Sequence, residues 1–223
     1  MNRKSARKLE VDLIIFDLDM TLVDSLASIN NCFVYAFERN GLPPPAREDV
    51  NRLIGLTLEK MTERLLLKAG TPADMQKAIV DGYRERYRAT AGGETKLFPG
   101  VRDVLEHFKG KRLAVVTTKH GGLARKLLEE LDILRYFNLV LGYGDFRNPK
   151  PDPESIFKAL DETKVHADRA VIVGDTIYDI EAGKGAGIHT VAVTFGVDSR
   201  EELELAKPEF MIDNMRELMD IIV

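Results

Sequence analysis

Short apolar runs recur along the chain at Val11–Phe16, where only Asp12 interrupts, and at Arg112–Val116, Leu139–Leu141, Ala170–Val173 and Thr190–Val193, bounded by Gly, Asp or Thr. Runs of this length between turn residues predict strands buried on both faces. Between them the apolar positions change to spacings of three and four: Val101, Val104, Leu105 and Phe108, then Leu123, Leu127, Leu128 and Leu131, then Ile156, Phe157 and Leu160. That period predicts helices with one face on a core. Strands alternating with helices predict a parallel sheet, whose ligands gather beyond the carboxyl ends of the strands where strand order reverses.

Residues 26–95 break the alternation. Three helical patterns stand there without a strand, built on Ile29, Phe33 and Phe37, on Val50, Leu53, Ile54, Leu58, Met61, Leu65 and Leu66, and on Met75, Ile79, Tyr83 and Tyr87. Pro43–Pro45 and Gly70–Pro72 separate them. The expectation is an α/β core made of residues 1–23 and 96–223, with a small helical domain over 24–95 inserted after the first strand and hinged at Val23–Ser25 and Gly92–Glu94. A chain of 223 residues suits one main domain and a smaller one. Residues 1–9 read as a polar tail.

Composition narrows the function classes. With 32 Lys and Arg against 36 Asp and Glu, the net charge of −4 provides no basic field for nucleic acid. The single cysteine, Cys32, excludes an internal disulfide and a cysteine-rich zinc site, which suits the cytoplasm. No apolar run approaches the ~20 residues that span a bilayer, so no membrane partner is expected. The four histidines lack metal spacing and read as surface or structural. Gly183–Gly187 lacks the ending of a phosphate-binding P-loop and reads as the close of a helix.

The first strand runs directly into Asp17-Leu18-Asp19-Met20-Thr21, two carboxylates one residue apart at a strand end. A turn, where Asp and Thr are favoured, is the plain alternative. A second pair follows Val171–Val173 as Gly174-Asp175-Thr176-Ile177-Tyr178-Asp179. Asp179 equally suits a capping box with Thr176 on the next helix. Two acidic clusters on neighbouring strand ends need protonation or a cation between them, and all-oxygen ligation selects Mg2+. Thr117 and Thr118 end a strand with hydroxyls and amides that suit phosphoryl oxygens, and Lys150 is stiffened between Pro149 and Pro151.

Taken in order, Asp17-x-Asp19-x-Thr21, Thr117, Lys150 and Gly174-Asp175-x-x-x-Asp179 resemble the four motifs of the haloacid dehalogenase superfamily of phosphotransferases. The resemblance covers the chain from Val11 onward. It implies a doubly wound, Rossmann-like parallel-sheet core, with the helical insertion as a type 1 cap. The first motif with the following Leu-Val-Asp-Ser, Ile54-Gly55 and Phe98-Pro99-Gly100 are most similar to phosphoglycolate-phosphatase-like and pyrophosphatase-like members. Met20 stands where Gly is commoner.

The resemblance implies a role for each residue. Asp17, with an ordinary carboxylate pKa, attacks phosphorus, and Asp19 protonates the leaving oxygen and then activates water. Asp17, the Asp19 carbonyl and Asp175 ligate Mg2+, with Asp179 direct or through water. Thr117, the Thr118 amide and Lys150 hold the phosphoryl group, while Thr21 shapes the turn. The substrate expected is a small phosphorylated metabolite, and the chain a monomer or homodimer. Substrate selection is expected from Arg52, Gly55, Leu56 and Thr57 in the cap.

Three rivals are weaker. Phosphosugar mutases of the same superfamily resemble Asp-x-Asp-Gly-Val and use an early cap His, where Thr21 and Ile29 stand here; a pyrophosphatase stays open as the alternative hydrolase. Dehalogenases lack the acid at position 19. A receiver-like signalling module has no helical insertion, and its acids are adjacent in sequence.

Overall fold

The computed structural model describes residues 8–223. Its strands are β1 (Leu13–Phe16), β2 (Val23–Asp24), β3 (Lys96–Leu97), β4 (Arg112–His120), β5 (Leu139–Tyr143), β6 (Ala170–Gly174), β7 (His189–Val193) and β8 (Phe210–Ile212). Six of them form one parallel sheet in the order β5-β4-β1-β6-β7-β8. β1 lies at its centre, with Leu13 opposite Arg112 on one side and Ala170 on the other. Successive residues of β1 alternate between two cores: Leu13 and Ile15 join one, and Ile14 and Phe16 join the other. The chain extends the sheet from β1 through β4 to β5, then returns to β6 on the other side, so strand order reverses between β1 and β6.

The helices are α1 (Leu26–Arg39), α2 (Arg47–Asn51), α3 (Leu58–Lys68), α4 (Gln76–Glu94), α5 (Val101–His107), α6 (Gly121–Glu130), α7 (Glu154–Thr163), α8 (Ile177–Gly185), α9 (Arg200–Ala206) and α10 (Leu218–Ile221). α7 and α8 cover one face of the sheet with Ile156, Ala159 and Ala182, while α5, α6 and α10 cover the other with Val104, Leu105, Leu127, Leu128 and Leu218. Gly183–Gly187 does close a helix: Gly187 takes φ 72° and the Ile188 amide returns to the Gly183 carbonyl at 3.0 Å. Among the described residues, no helix is long and apolar enough to cross a membrane.

Helices α1 to α4 form the insertion, whose two crossings to the core are zipped together where β2 and β3 pair antiparallel, Val23 opposite Leu97. α1 packs on α4 through side chains one turn apart, and the rings of Phe33 and Tyr83 meet at 4.8 Å. Besides the β2–β3 pair, the structure differs from the sequence reading at four places. The middle helical pattern splits into α2 and α3, because Gly55 takes φ 100° and Thr57 caps α3, accepting from the Lys60 amide at 3.3 Å. Gly92–Glu94, read as a hinge, is the last turn of α4, and a Cβ on Gly92 would lie 2.4 Å from Oε2 of Glu130 at the end of α6. β8 was hidden by its brevity and polar flanks. Leu9, assigned to a tail, is buried and donates from its amide to the Ile221 carbonyl at 2.7 Å; residues 1–7 lie outside the described residues.

Candidate active site

Strand β1 ends at Phe16, which delivers Asp17 beyond the carboxyl edge of the sheet; β6 delivers Asp175 beside it, across the point of reversal. Asp179 stands on the first turn of α8. Lys150, 4% exposed, reaches in from the loop after β5 and joins the clusters, donating to Asp17 Oδ1 at 2.6 Å, to the Val116 carbonyl at 3.0 Å and to Asp179 Oδ1. Asp179 does form the capping box that its spacing from Thr176 suggested. Its Oδ2 completes a capping box with the Thr176 amide at 3.1 Å and hydroxyl at 2.7 Å, which aims Oδ1 at Lys150. Thr21, read as a turn former, has a further part: its hydroxyl donates to Asp175 Oδ1 at 2.7 Å, while the Val197 amide holds Oδ2 at 2.9 Å.

Two glycines make this crowding possible. A Cβ on Gly174 would lie 2.3 Å from Asp179 Cγ, and one on Gly196 would lie 2.1 Å from Asp175 Cβ. Met20 takes φ 65° and is 3% exposed. A left-handed residue of this kind costs about 1–2 kcal/mol, and burying a methionine side chain returns about 1.5–3 kcal/mol. Packing against the core therefore holds the strained turn that carries Asp19.

Asp17, Asp175 and Asp179 bring carboxylate oxygens within 4.8 Å of one another, and all three residues are buried. Burial, more than the neighbouring acids, raises Asp17 to about 7 against the pull of Lys150, and it raises Asp175 well above the usual carboxylate range. The ordinary pKa expected for Asp17 is thus corrected by its burial. Burial works against the Lys150 ammonium, but Asp17 and Asp179 overcome it and keep it charged. One ammonium cannot balance three carboxylates, and every further donor is an oxygen, so the site fits a hard divalent cation.

On the other side of β1, the pairing of β4 with β5 shifts register between Val116 and His120, which takes Thr117 and Thr118 out of the regular ladder. Both are buried, and Thr117 Oγ1 accepts from the Lys119 amide at 3.2 Å. The sequence reading gave Lys119 no part. Its ammonium lies 2.9 Å from Asp19 Oδ2 and 4.4 Å from the centre of the Tyr87 ring. Burial opposes that charge, but Asp19, Tyr87 and Tyr83 more than restore it. The other oxygen of Asp19, Oδ1, is buried with no partner among the described residues.

A cavity of ≈ 50 Å³ joins Asp17, Asp19, Thr117, Thr118 and Lys119 of the core to Ile54, Gly55, Leu56, Glu59, Tyr83 and Arg84 of the insertion. Gly55 and Leu56 stand where the sequence reading put them. Arg52 and Thr57 do not line the cavity: Arg52 is exposed beyond α2, and Thr57 is occupied in capping α3. Glu59, Tyr83, Arg84 and Lys119 were missed because each sits in a helical or strand pattern that packing alone explains; the run Thr117-Thr118-Lys119 was the one usable signal. His120, read as surface or structural, lines the cavity as well.

The haloacid dehalogenase-like hydrolase family matches this chain over residues 14–193, and the chain belongs to that family. It is 34% identical to the phosphoglycolate phosphatase of Salmonella typhimurium, over 92% of this chain and 90% of that one. It is 31% identical to PpaX of Caldanaerobacter subterraneus, a candidate pyrophosphatase, over 96% of each. Among solved structures, a predicted phosphoglycolate phosphatase from Haemophilus somnus superposes with a TM-score of 0.88 at 26% identity, covering 95% of this chain and 98% of the other.

Proposed function

We propose that this hydrolase is a Mg2+-dependent phosphatase that cleaves a small phosphate monoester, of the phosphoglycolate kind, through an aspartyl-phosphate on Asp17. The observation that carries this reading is the clustering of Asp17, Asp175 and Asp179 at the carboxyl edge of β1 and β6, with Lys150 bonded to Asp17 and Asp179. Mg2+, held by Asp17, the Asp19 carbonyl and Asp175, with Asp179 direct or through water, would supply the charge that lets a phosphate dianion approach a carboxylate.

In the first step an Asp17 carboxylate oxygen bonds to phosphorus in line with the ester oxygen, the phosphorus–ester bond breaks, and Asp19, which must enter the step carrying a proton on Oδ1, passes that proton to the departing alkoxide. Lys150 offsets the charge that moves onto the phosphoryl oxygens, and Thr117 with the Thr118 amide holds those oxygens. Asp19 then takes a proton from water as it attacks phosphorus, and the bond to Asp17 breaks to release phosphate. The unpartnered Oδ1 of Asp19 suits both transfers, while Lys119 steadies Oδ2.

The helical insertion acts as a cap over this chemistry, residues 24–95 closing on a core of 1–23 and 96–223. It adds apolar walls that exclude water from the first step. A cavity of ≈ 50 Å³ holds about one or two waters, and so fits a leaving group of few atoms. A panel of phosphoglycolate, sugar phosphates, nucleotides and pyrophosphate, run with Mg2+ and with excess chelator, tests the reading. It predicts metal-dependent release of phosphate from small monoesters; full turnover in chelator contradicts it.

A further inference from the structure

Beside the reaction cavity lies a second depression that the chemistry above does not use. It is a groove of ≈ 280 Å³ between α4 of the insertion and α6 of the core, lined by Arg84, Arg88, His120, Gly122, Leu123 and Lys126. Arg84, His120 and Leu123 line both spaces, so the groove shares a wall with the cavity.

The lining offers donors and no carboxylate. The Arg88 guanidinium has no hydrogen bond or ion pair among the described residues. Arg84 gives one terminal nitrogen to Glu59 at 2.6 Å, but its Nε is buried with no partner. Leaving a buried donor unpaired is costly, which marks Arg84 apart from a guanidinium that simply sits in water. His120 Nδ1 accepts from the Gly122 amide at 3.2 Å; this places the proton of the neutral ring on Nε2 and leaves a further donor. Lys126 spans the groove to the Arg88 carbonyl and lies 3.5 Å from Glu130, with N–H bonds to spare. Glu59 and Glu130 offset Arg84 and Lys126 in part; Asp81, bonded to Lys77, acts on Arg84 and Arg88 through its charge alone and leaves the Arg88 donors unbonded.

We infer that this groove is a second anion subsite, holding a phosphate or carboxylate at the far end of the leaving group. The inference rests on the phosphatase reading and narrows its substrate class to phosphate monoesters that carry another anionic group. Charge-assisted bonds from arginine are the strong and oriented ones, so the groove selects between esters that the small apolar cavity treats alike. Because α4 and α6 belong to different halves of the molecule, an anion bound between them also holds the cap closed.

The experiment measures competitive inhibition of p-nitrophenyl phosphate hydrolysis by alkanediol bisphosphates with spacers of two to six carbons, each against its own monophosphate. Wild-type protein should bind at least one bisphosphate about tenfold more tightly than its monophosphate, one well-made charged contact being of that size. Arg88→Gln with Lys126→Gln should remove most of that ratio, Arg88→Lys should keep part of it, and added salt should reduce it. If p-nitrophenyl phosphate is hydrolysed and the ratio is near one for every spacer, or is unmoved in the double variant, the subsite is wrong and the phosphatase stands. If wild-type protein with Mg2+ hydrolyses neither p-nitrophenyl phosphate nor the small monoesters of the panel, both fall.

Discussion

Lys119 Nζ lies 2.9 Å from Asp19 Oδ2 and 4.4 Å from the centre of the Tyr87 ring, so one buried ammonium ties the acid after β1 to helix α4 of the insertion. In the proposed mechanism it orients the proton donor, with the Tyr87 ring of the cap packed over it. Lys119→Met should therefore lower kcat/KM by about 10- to 100-fold for alkyl phosphates, the cost of a misplaced catalytic group. p-Nitrophenyl phosphate, whose leaving group departs without a proton, should lose less in its first step. Equal losses on both, measured by pre-steady-state release of the alcohol or phenol, would remove Lys119 from the account.

The acid cluster makes stability depend on pH in a direction opposite to that of an ordinary carboxylate. Asp17 is raised from 3.8 to about 7, and burial raises Asp175 well above the usual carboxylate range, so the folded state without metal binds more protons than the unfolded one in this window. The contribution of Asp17 is fully present below about pH 4 and is lost as pH rises through about 7, and that of Asp175 is lost in the same direction. Mg2+ binds the ionised form and competes with those protons. Thermal unfolding should show a Tm gain on adding Mg2+ that is larger at pH 8 than at pH 5.5; an equal gain at both would mean that the ion binds elsewhere.

Gly174→Ala tests the tight junction of β6 and α8. Its Cβ would lie 2.3 Å from Asp179 Cγ, and Asp179 has no free space to move because Thr176 and Lys150 hold both of its oxygens. Metal affinity, read from the Mg2+ dependence of activity, should fall by about 10-fold or more, as when a ligand-orienting group is lost. Unchanged dependence would show that Asp179 does not serve the ion.

Cap substitutions separate residues that line the cavity from those that do not. Leu56→Ala should alter the ranking of phosphate esters, because Leu56 lines the cavity. Arg52→Ala should leave that ranking as it is, and Thr57→Ala should cost about 1 kcal/mol of stability through the lost α3 cap. A changed ranking in Arg52→Ala, measured on the same panel, would mean that Arg52 reaches the substrate.

The sheet was legible in the sequence because strands buried on both faces are continuous apolar runs, and Asp17, Asp175 and Thr117 because they end those runs. β8 and the β2–β3 pair escaped: two or three residues carry no period, and their pairing depends on partners distant in sequence. The same holds within the site. Lys119 and Tyr87 read locally as a strand end and a helix face, and their meeting over Asp19 exists only after α4 has folded across β4. Arg52 shows the converse: a charged residue near a cap helix looks functional in the sequence, yet it stands exposed at the end of α2 and does not line the cavity.

The central claim is that Asp17 becomes phosphorylated and Asp19 moves the protons. It is tested most directly by mass spectrometry of Asp19→Asn mixed with p-nitrophenyl phosphate and Mg2+, with Asp17→Asn as the comparison. The aryl leaving group departs without an acid, but release of phosphate needs a base for water, worth about 10²–10⁴-fold. Asp19→Asn should give a burst of p-nitrophenol and a peptide containing Asp17 that carries one added phosphate, whereas Asp17→Asn should give neither. Near-wild-type turnover by Asp17→Asn, or added phosphate on any other residue, contradicts the mechanism.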